Sequence, residues 1–130
     1  MRVIFFLYGL FCYFMFLAVF LYIIGFVGNF LVPKTMDSGS EIHWLTASAT
    51  NLALLGLFAL QHSVMARPSF KKWWTAIIPE VIERSTYVMA TNVVLVALIY
   101  FWQPVNIVIW NLSGESYVPF IWAICAIGWM

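Results

Sequence analysis

Four stretches without a single charged residue dominate this chain: 3–33, 42–66, 85–114 and 116–130. A helix needs about 20 predominantly apolar residues to cross a hydrocarbon core about 30 Å thick. The first three stretches reach that length and the last does not. Of the 130 residues, 65% are hydrophobic and only 8% charged, whereas about a quarter of a soluble domain is charged. Too few polar groups are present to cover a soluble surface of this size. In lipid the backbone must satisfy its own hydrogen bonds, which a helix does within one segment. The chain therefore reads as an all-α, polytopic transmembrane protein with three complete spans and a truncated fourth.

The expected helices cover 3–30, 44–62, 85–102 and 117–130, with a short interfacial helix over 68–78. The first apolar run is about twice as long as a signal-peptide core, so it is expected to stay as a span. Gly9, Gly25 and Gly28 on it permit close approach of another helix, and Pro33 with the polar segment from Lys34 to Glu41 ends it. After the second span, Pro68 suits a first helical turn, where its missing N–H has no partner to lose. Phe70, Trp73, Trp74 and Ile77 follow at three- and four-residue spacing, which puts indoles in the headgroup layer and the ammonium groups of Lys71 and Lys72 in water. An earlier start of the third span, from Pro79, would space Glu80 and Arg84 as an i,i+4 pair. The β-branched run Val93 to Ile99 disfavours a helix in water but not in lipid. The apolar patch from Val105 to Leu112 is expected to dip into the interface. Residues 117–130 rise only about 21 Å as a helix, and no polar anchor closes them, so the chain is expected to be part of a longer protein.

Arg67, Lys71, Lys72 and Arg84 sit between the second and third spans, against one lysine in the preceding loop and none in the following one. The positive-inside rule then puts the N-terminus and loop 63–84 in the cytoplasm. Net charge is +1, with no basic block, zinc-finger pattern or glycine-rich phosphate loop, so nothing points to nucleic acid. Cys12 and Cys125 lie in apolar runs with no metal-ligand spacing, and they read as inert thiols. No metal site is expected.

Polar residues inside spans carry the remaining information. Asn51 and His62 are eleven residues apart, which leaves them about 20° apart around a helix axis, with Ser48 close to the same stripe. Such a stripe should face protein or a water-filled cavity. Asn29, Asn51 and Asn92 read as helix–helix hydrogen-bonding residues, Asn51 also as a residue that positions polar groups deeper in a cavity. His43 reads as an interface residue beside Trp44. Gln61, His62, Ser63 and Arg67 lie within seven residues, and Glu83, Arg84 and Tyr87 lie where the chain re-enters the same interface. An arginine can hold a carboxylate by two parallel hydrogen bonds, and a neutral histidine can take a proton near pH 7. The same residues admit a structural reading, with His62 as a helix cap and the arginines as headgroup anchors. Residue types alone do not separate the two.

The segment NLALLGLFALQHSVMARPSFKKWW, followed by PEVIERSTYVMATNVVLVAL, resembles the methanethiol S-methyltransferase family. That family belongs to the NnrU-like membrane proteins and is distantly similar to isoprenylcysteine carboxyl methyltransferases. The opening FFLYGLFCYFMFLAVFLYIIGFVGNFLVPK is also similar to the start of the family's proteins, whose N-terminal portion the chain would then be. Gln61, His62, Ser63, Met65, Ala66 and Arg67 match a QHSxMAR element, and Glu83, Arg84 and Tyr87 an ERxxY element. The resemblance implies a bacterial inner-membrane enzyme that moves a methyl group from S-adenosyl-L-methionine to methanethiol, a small volatile thiol, giving dimethyl sulfide. It implies His62 and Glu83 as candidate proton-handling residues, and Arg67, Arg84, Gln61 and Tyr87 as candidate cofactor-binding residues. Family members are longer, and in the related carboxyl methyltransferases much of the cofactor site comes from the C-terminal half. Rival expectations are an NnrU-like transport or accessory protein without methyltransferase activity, a methyltransferase for a larger lipidated thiol or carboxyl substrate, and a product too short to turn over.

Overall fold

The computed structural model describes residues 1–40, 42–105, 107 and 114–130. Its elements are α1 (Arg2–Gly28), α2 (Trp44–Ala66), α3 (Pro68–Trp74), α4 (Glu80–Phe101) and α5 (Val118–Trp129). Among the described residues there is no strand. Three helices, α1, α2 and α4, are long and apolar enough to cross a membrane, so the chain is a multi-pass membrane protein. The 12 residues of α5 rise about 18 Å, short of a hydrocarbon core. The apolar patch expected over 105–112 falls largely outside the described residues.

The helix ends show what stops each element. α1 stops at Gly28 because Asn29 turns left-handed, at φ 56°, and the Phe30 N–H reaches back 3.0 Å to the Gly25 carbonyl. This is the bond of a Schellman end, and it stops α1 two residues before the expected end at 30. The returning chain then lies on the helix. A Cβ on Gly25 would come within 2.7 Å of the Phe30 carbonyl and of Val32, so this glycine receives the loop and no neighbouring helix. Gly9 does face a helix: a Cβ there would sit 3.2 Å from Ser85 Oγ.

α2 runs a full turn past the expected end at His62. Nothing in Ser63–Ala66 breaks a helix; the break comes from Pro68, which forces the residue before it out of helical backbone. Arg67 accordingly adopts φ −72°, ψ 138°, and it closes α2 and opens α3 together. α3 is shorter than the expected 68–78. The Thr75 hydroxyl donates to the Lys71 carbonyl at 2.9 Å, and residues 75–77 continue as turns. α4 begins at Glu80, directly after Pro79, with Glu80 and Glu83 in its first turn, where a helix N-terminus favours negative charge.

α4 is the central helix, packed against α1 on one side and α2 on the other. α1 runs parallel to it. Tyr8 donates to Thr86 Oγ1 at 3.3 Å near their starts, Asn92 Nδ2 reaches the Cys12 carbonyl at 3.3 Å midway, and Phe26 meets Trp102 edge-on near their ends. α2 runs antiparallel, with Asn51 against Gln103 and His62 against Tyr87. The N-terminus and the loop 67–79 therefore share one end of the bundle, and the loop 29–43 shares the other with residues 102–105.

Candidate functional site

The expected site residues sit at the end where α2 leaves the bundle and α4 enters it. The Tyr87 hydroxyl lies 2.9 Å from His62 Nδ1 and 3.1 Å from Nε2. Antiparallel packing of α2 on α4 makes this contact, because it brings residue 62 beside residue 87. The His62 ring is held between Phe58, 5.5 Å away, and Tyr87, 5.4 Å away. Its edge remains exposed. His62 lies inside α2 and so does not cap it.

One residue back, Gln61 turns toward α4. Its Nε2 donates to Thr91 Oγ1 at 3.4 Å and contacts Met65 Sδ at 3.1 Å, while its Oε1 is buried with no hydrogen-bond partner. A buried acceptor without a donor costs about 1–3 kcal/mol, which marks this atom as one a ligand could satisfy. Thr91 is four residues after Tyr87, on the same face of α4, and its hydroxyl donates to the Tyr87 carbonyl at 3.0 Å. Thr91 and Phe58 were not among the expected site residues. Helical spacing was available as a signal for Thr91, and Phe58 is four residues before His62.

The charged residues pair otherwise than spacing suggests. Glu83 meets Lys71 of α3, with Lys71 Nζ 3.9 Å from Glu83 Oε1. Among the described residues no other carboxylate and cation approach within 4.0 Å. The Glu80–Arg84 pair that i,i+4 spacing allows is not closed, and neither Arg67 nor Arg84 holds Glu83. Both arginines are exposed with open guanidinium forks. Lys71, expected to hold its ammonium in water, stays exposed and also approaches Glu83 at the start of α4. Trp74 also departs from expectation. Trp73 is 57% exposed, as an interface anchor should be, but Trp74 turns inward beside Phe70 with its Nε1 buried and unpartnered.

The three asparagines differ. Asn92, 1% exposed, joins α4 to α1 as expected. Asn51 does not line the site: it bonds the main chain of Gln103 in both directions, at 2.7 and 2.9 Å. Asn29 bonds Asp37 in the following loop and no helix. His43 stacks on Trp44 and accepts from the Leu45 N–H at 3.4 Å, as an N-cap.

Similar proteins add a separate line of evidence. The chain is 46% identical over 124 residues to the methanethiol S-methyltransferase of Crocosphaera subtropica, a match covering 95% of this chain and 49% of that protein. With the methanethiol S-methyltransferase of Mycobacterium tuberculosis it is 45% identical over 123 residues, covering 95% of this chain and 50% of the other. Methanethiol S-methyltransferase 2 of Bradyrhizobium diazoefficiens is 42% identical over 124 residues, again 95% of this chain and 46% of its own length. The chain thus spans about half the length of the curated relatives it matches. No family model matches the sequence, and no solved structure matches it either.

Proposed function

Because the chain belongs to the methanethiol S-methyltransferase family over its matched residues, we propose that it takes part in methyl transfer from S-adenosyl-L-methionine to methanethiol, giving dimethyl sulfide. The observation that carries this reading is the meeting of His62 with Tyr87 at the end of the bundle that also holds Arg67 and Arg84. We place that end in the cytoplasm of a bacterial inner membrane, since Arg2, Arg67, Lys71, Lys72 and Arg84 gather there and positive charge is retained inside. A water-soluble cofactor reaches such an end from solution, while a small apolar thiol enters from lipid.

The residues fit the amino-acid end of the cofactor. Its carboxylate suits the forked guanidinium of Arg67 or Arg84, neither of which has a carboxylate within 4.0 Å among the described residues. Its ammonium suits the buried, unpartnered Oε1 of Gln61. When bound, the cofactor supplies a methyl group on a positively charged sulfur, ready for displacement by a thiolate. This chain's own task is then to produce that thiolate. His62 accepts the thiol proton at a ring nitrogen. Tyr87 orients the ring by hydrogen bonding to it, and Phe58 supports its other side. Glu83, engaged by Lys71, is the less available base and helps to seat α3 over the site. Alignment of thiol and donor in a closed site contributes the rest of the acceleration.

The test is dimethyl sulfide in the headspace of membranes containing the protein, supplied with S-adenosyl-L-methionine and methanethiol. His62→Gln at unchanged protein abundance is expected to lower production by about 100-fold or more, the usual worth of general base catalysis. Near-normal turnover in the variant would remove the proton-accepting role. Absence of thiol- and cofactor-dependent product from the parent would remove the activity itself.

A further inference from the structure

Two apolar grooves lie at the opposite end of the bundle from His62, and they converge on one side chain. The first, about 340 Å³, runs between α1 and α4 and is floored by Val19, Val96 and Ile99. The second, about 400 Å³, lies between α1 and the returning loop, against Ile24, Phe30 and Val32. Both are lined by Ala18 and by Tyr22, so the Tyr22 ring forms the ridge between them. Its hydroxyl is fixed to the main chain of Lys34, accepting from the N–H at 3.2 Å and donating to the carbonyl at 3.3 Å. That clamp holds Lys34 at the rim, where it also lines the first groove.

The Lys34 ammonium bonds the Tyr100 carbonyl at the end of α4 and lies 5.9 Å from the Tyr100 ring. An ammonium has three donors, so that contact leaves two. No carboxylate approaches it within 4.0 Å among the described residues. A cation therefore stands at the rim of the first groove, with the second groove on the other side of Tyr22. Leu31, which lines the second groove, is 94% exposed and held at φ 60°.

We propose that this is a binding site for one anionic two-chain glycerophospholipid, with an acyl chain on either side of Tyr22 and the phosphate on the Lys34 ammonium. The pairing of the channels selects two chains, and the single cation selects a headgroup whose phosphate carries no compensating positive charge. The inference is independent of the methyl-transfer reading, because the site shares no residue with the His62 cluster.

Native mass spectrometry of the detergent-purified protein, titrated with phosphatidylglycerol or phosphatidylcholine of the same acyl chains, tests it. One basic residue at a membrane surface gives roughly a five-fold preference for the anionic lipid. Lys34→Gln is expected to abolish that preference and Lys34→Arg to keep it. Ala18→Phe, which fills both channels at their shared wall, is expected to remove tight binding of either lipid. Equal binding of the two lipids by the parent protein would overturn the proposal. So would a preference that survives Lys34→Gln, or an Ala18→Phe variant that keeps its thermal midpoint and still binds both lipids.

Discussion

At the Lys34 end of the bundle polar side chains bond mainly to main chain, whereas at the His62 end several bond to one another across helices. Asn51 closes on the backbone of Gln103, Tyr22 on the backbone of Lys34, and Lys34 on the last turn of α4. Each contact satisfies a peptide group where a span ends, a place at which helices leave carbonyls and amides unpaired. At the other end His62 meets Tyr87, Gln61 meets Thr91 and Lys71 meets Glu83. Those contacts leave the Gln61 Oε1 without a donor and two guanidinium groups open. The Lys34 end thus commits its polar side chains chiefly to main chain, with two donors of the Lys34 ammonium left over, whereas the His62 end keeps a buried acceptor and two guanidinium groups open.

Mutations can break this contrast. Asn51→Leu should have the largest effect on stability, about 2 kcal/mol, because it strips a part-buried peptide group of its partners. The thermal midpoint in detergent should fall while turnover per folded molecule stays unchanged. A loss of turnover without a loss of stability would place Asn51 in the site after all.

Arg67→Ala should do the reverse. It is expected to weaken S-adenosyl-L-methionine binding by about ten-fold, the worth of one charge-assisted contact, with no change in midpoint; calorimetric titration reads this directly. Unchanged affinity would leave Arg67 as a headgroup anchor. The smallest effect belongs to Lys71→Gln. Its side chain is half exposed, so breaking the pair with Glu83 should cost less than about 0.5 kcal/mol. A larger drop in midpoint would show that α3 is a more firmly held cover than a single exposed ion pair implies.

Much of this architecture was legible beforehand. The charge-free runs located α1, α2 and α4, since a polypeptide in lipid has few ways to satisfy its backbone. The spacing of Gln61 and His62 from Glu83 and Tyr87 put them at the same interface. The exact ends were less legible. Pro68 acts through Arg67 and lets α2 continue to Ala66, and Asn29 stops α1 before Pro33 is reached. Partner choice was hardest to read. Spacing offered a pair between Glu80 and Arg84, yet the ion pair that forms joins Lys71 of α3 to Glu83 of α4, 3.9 Å apart. Trp74 buries its Nε1, whereas Trp73 beside it remains at the surface.

The sequence by itself determined the number of long spans, their order and the clustering of positive charge at one end of the bundle. These follow from length, hydropathy and charge, each of which acts locally along the chain. Only the tertiary structure decided that His62 is held by Tyr87, that Asn51 binds the end of α4 and that Tyr22 divides two grooves beneath Lys34. Those facts depend on the register and rotation of one helix against another. Side-chain packing sets both, and no local pattern in the chain encodes them.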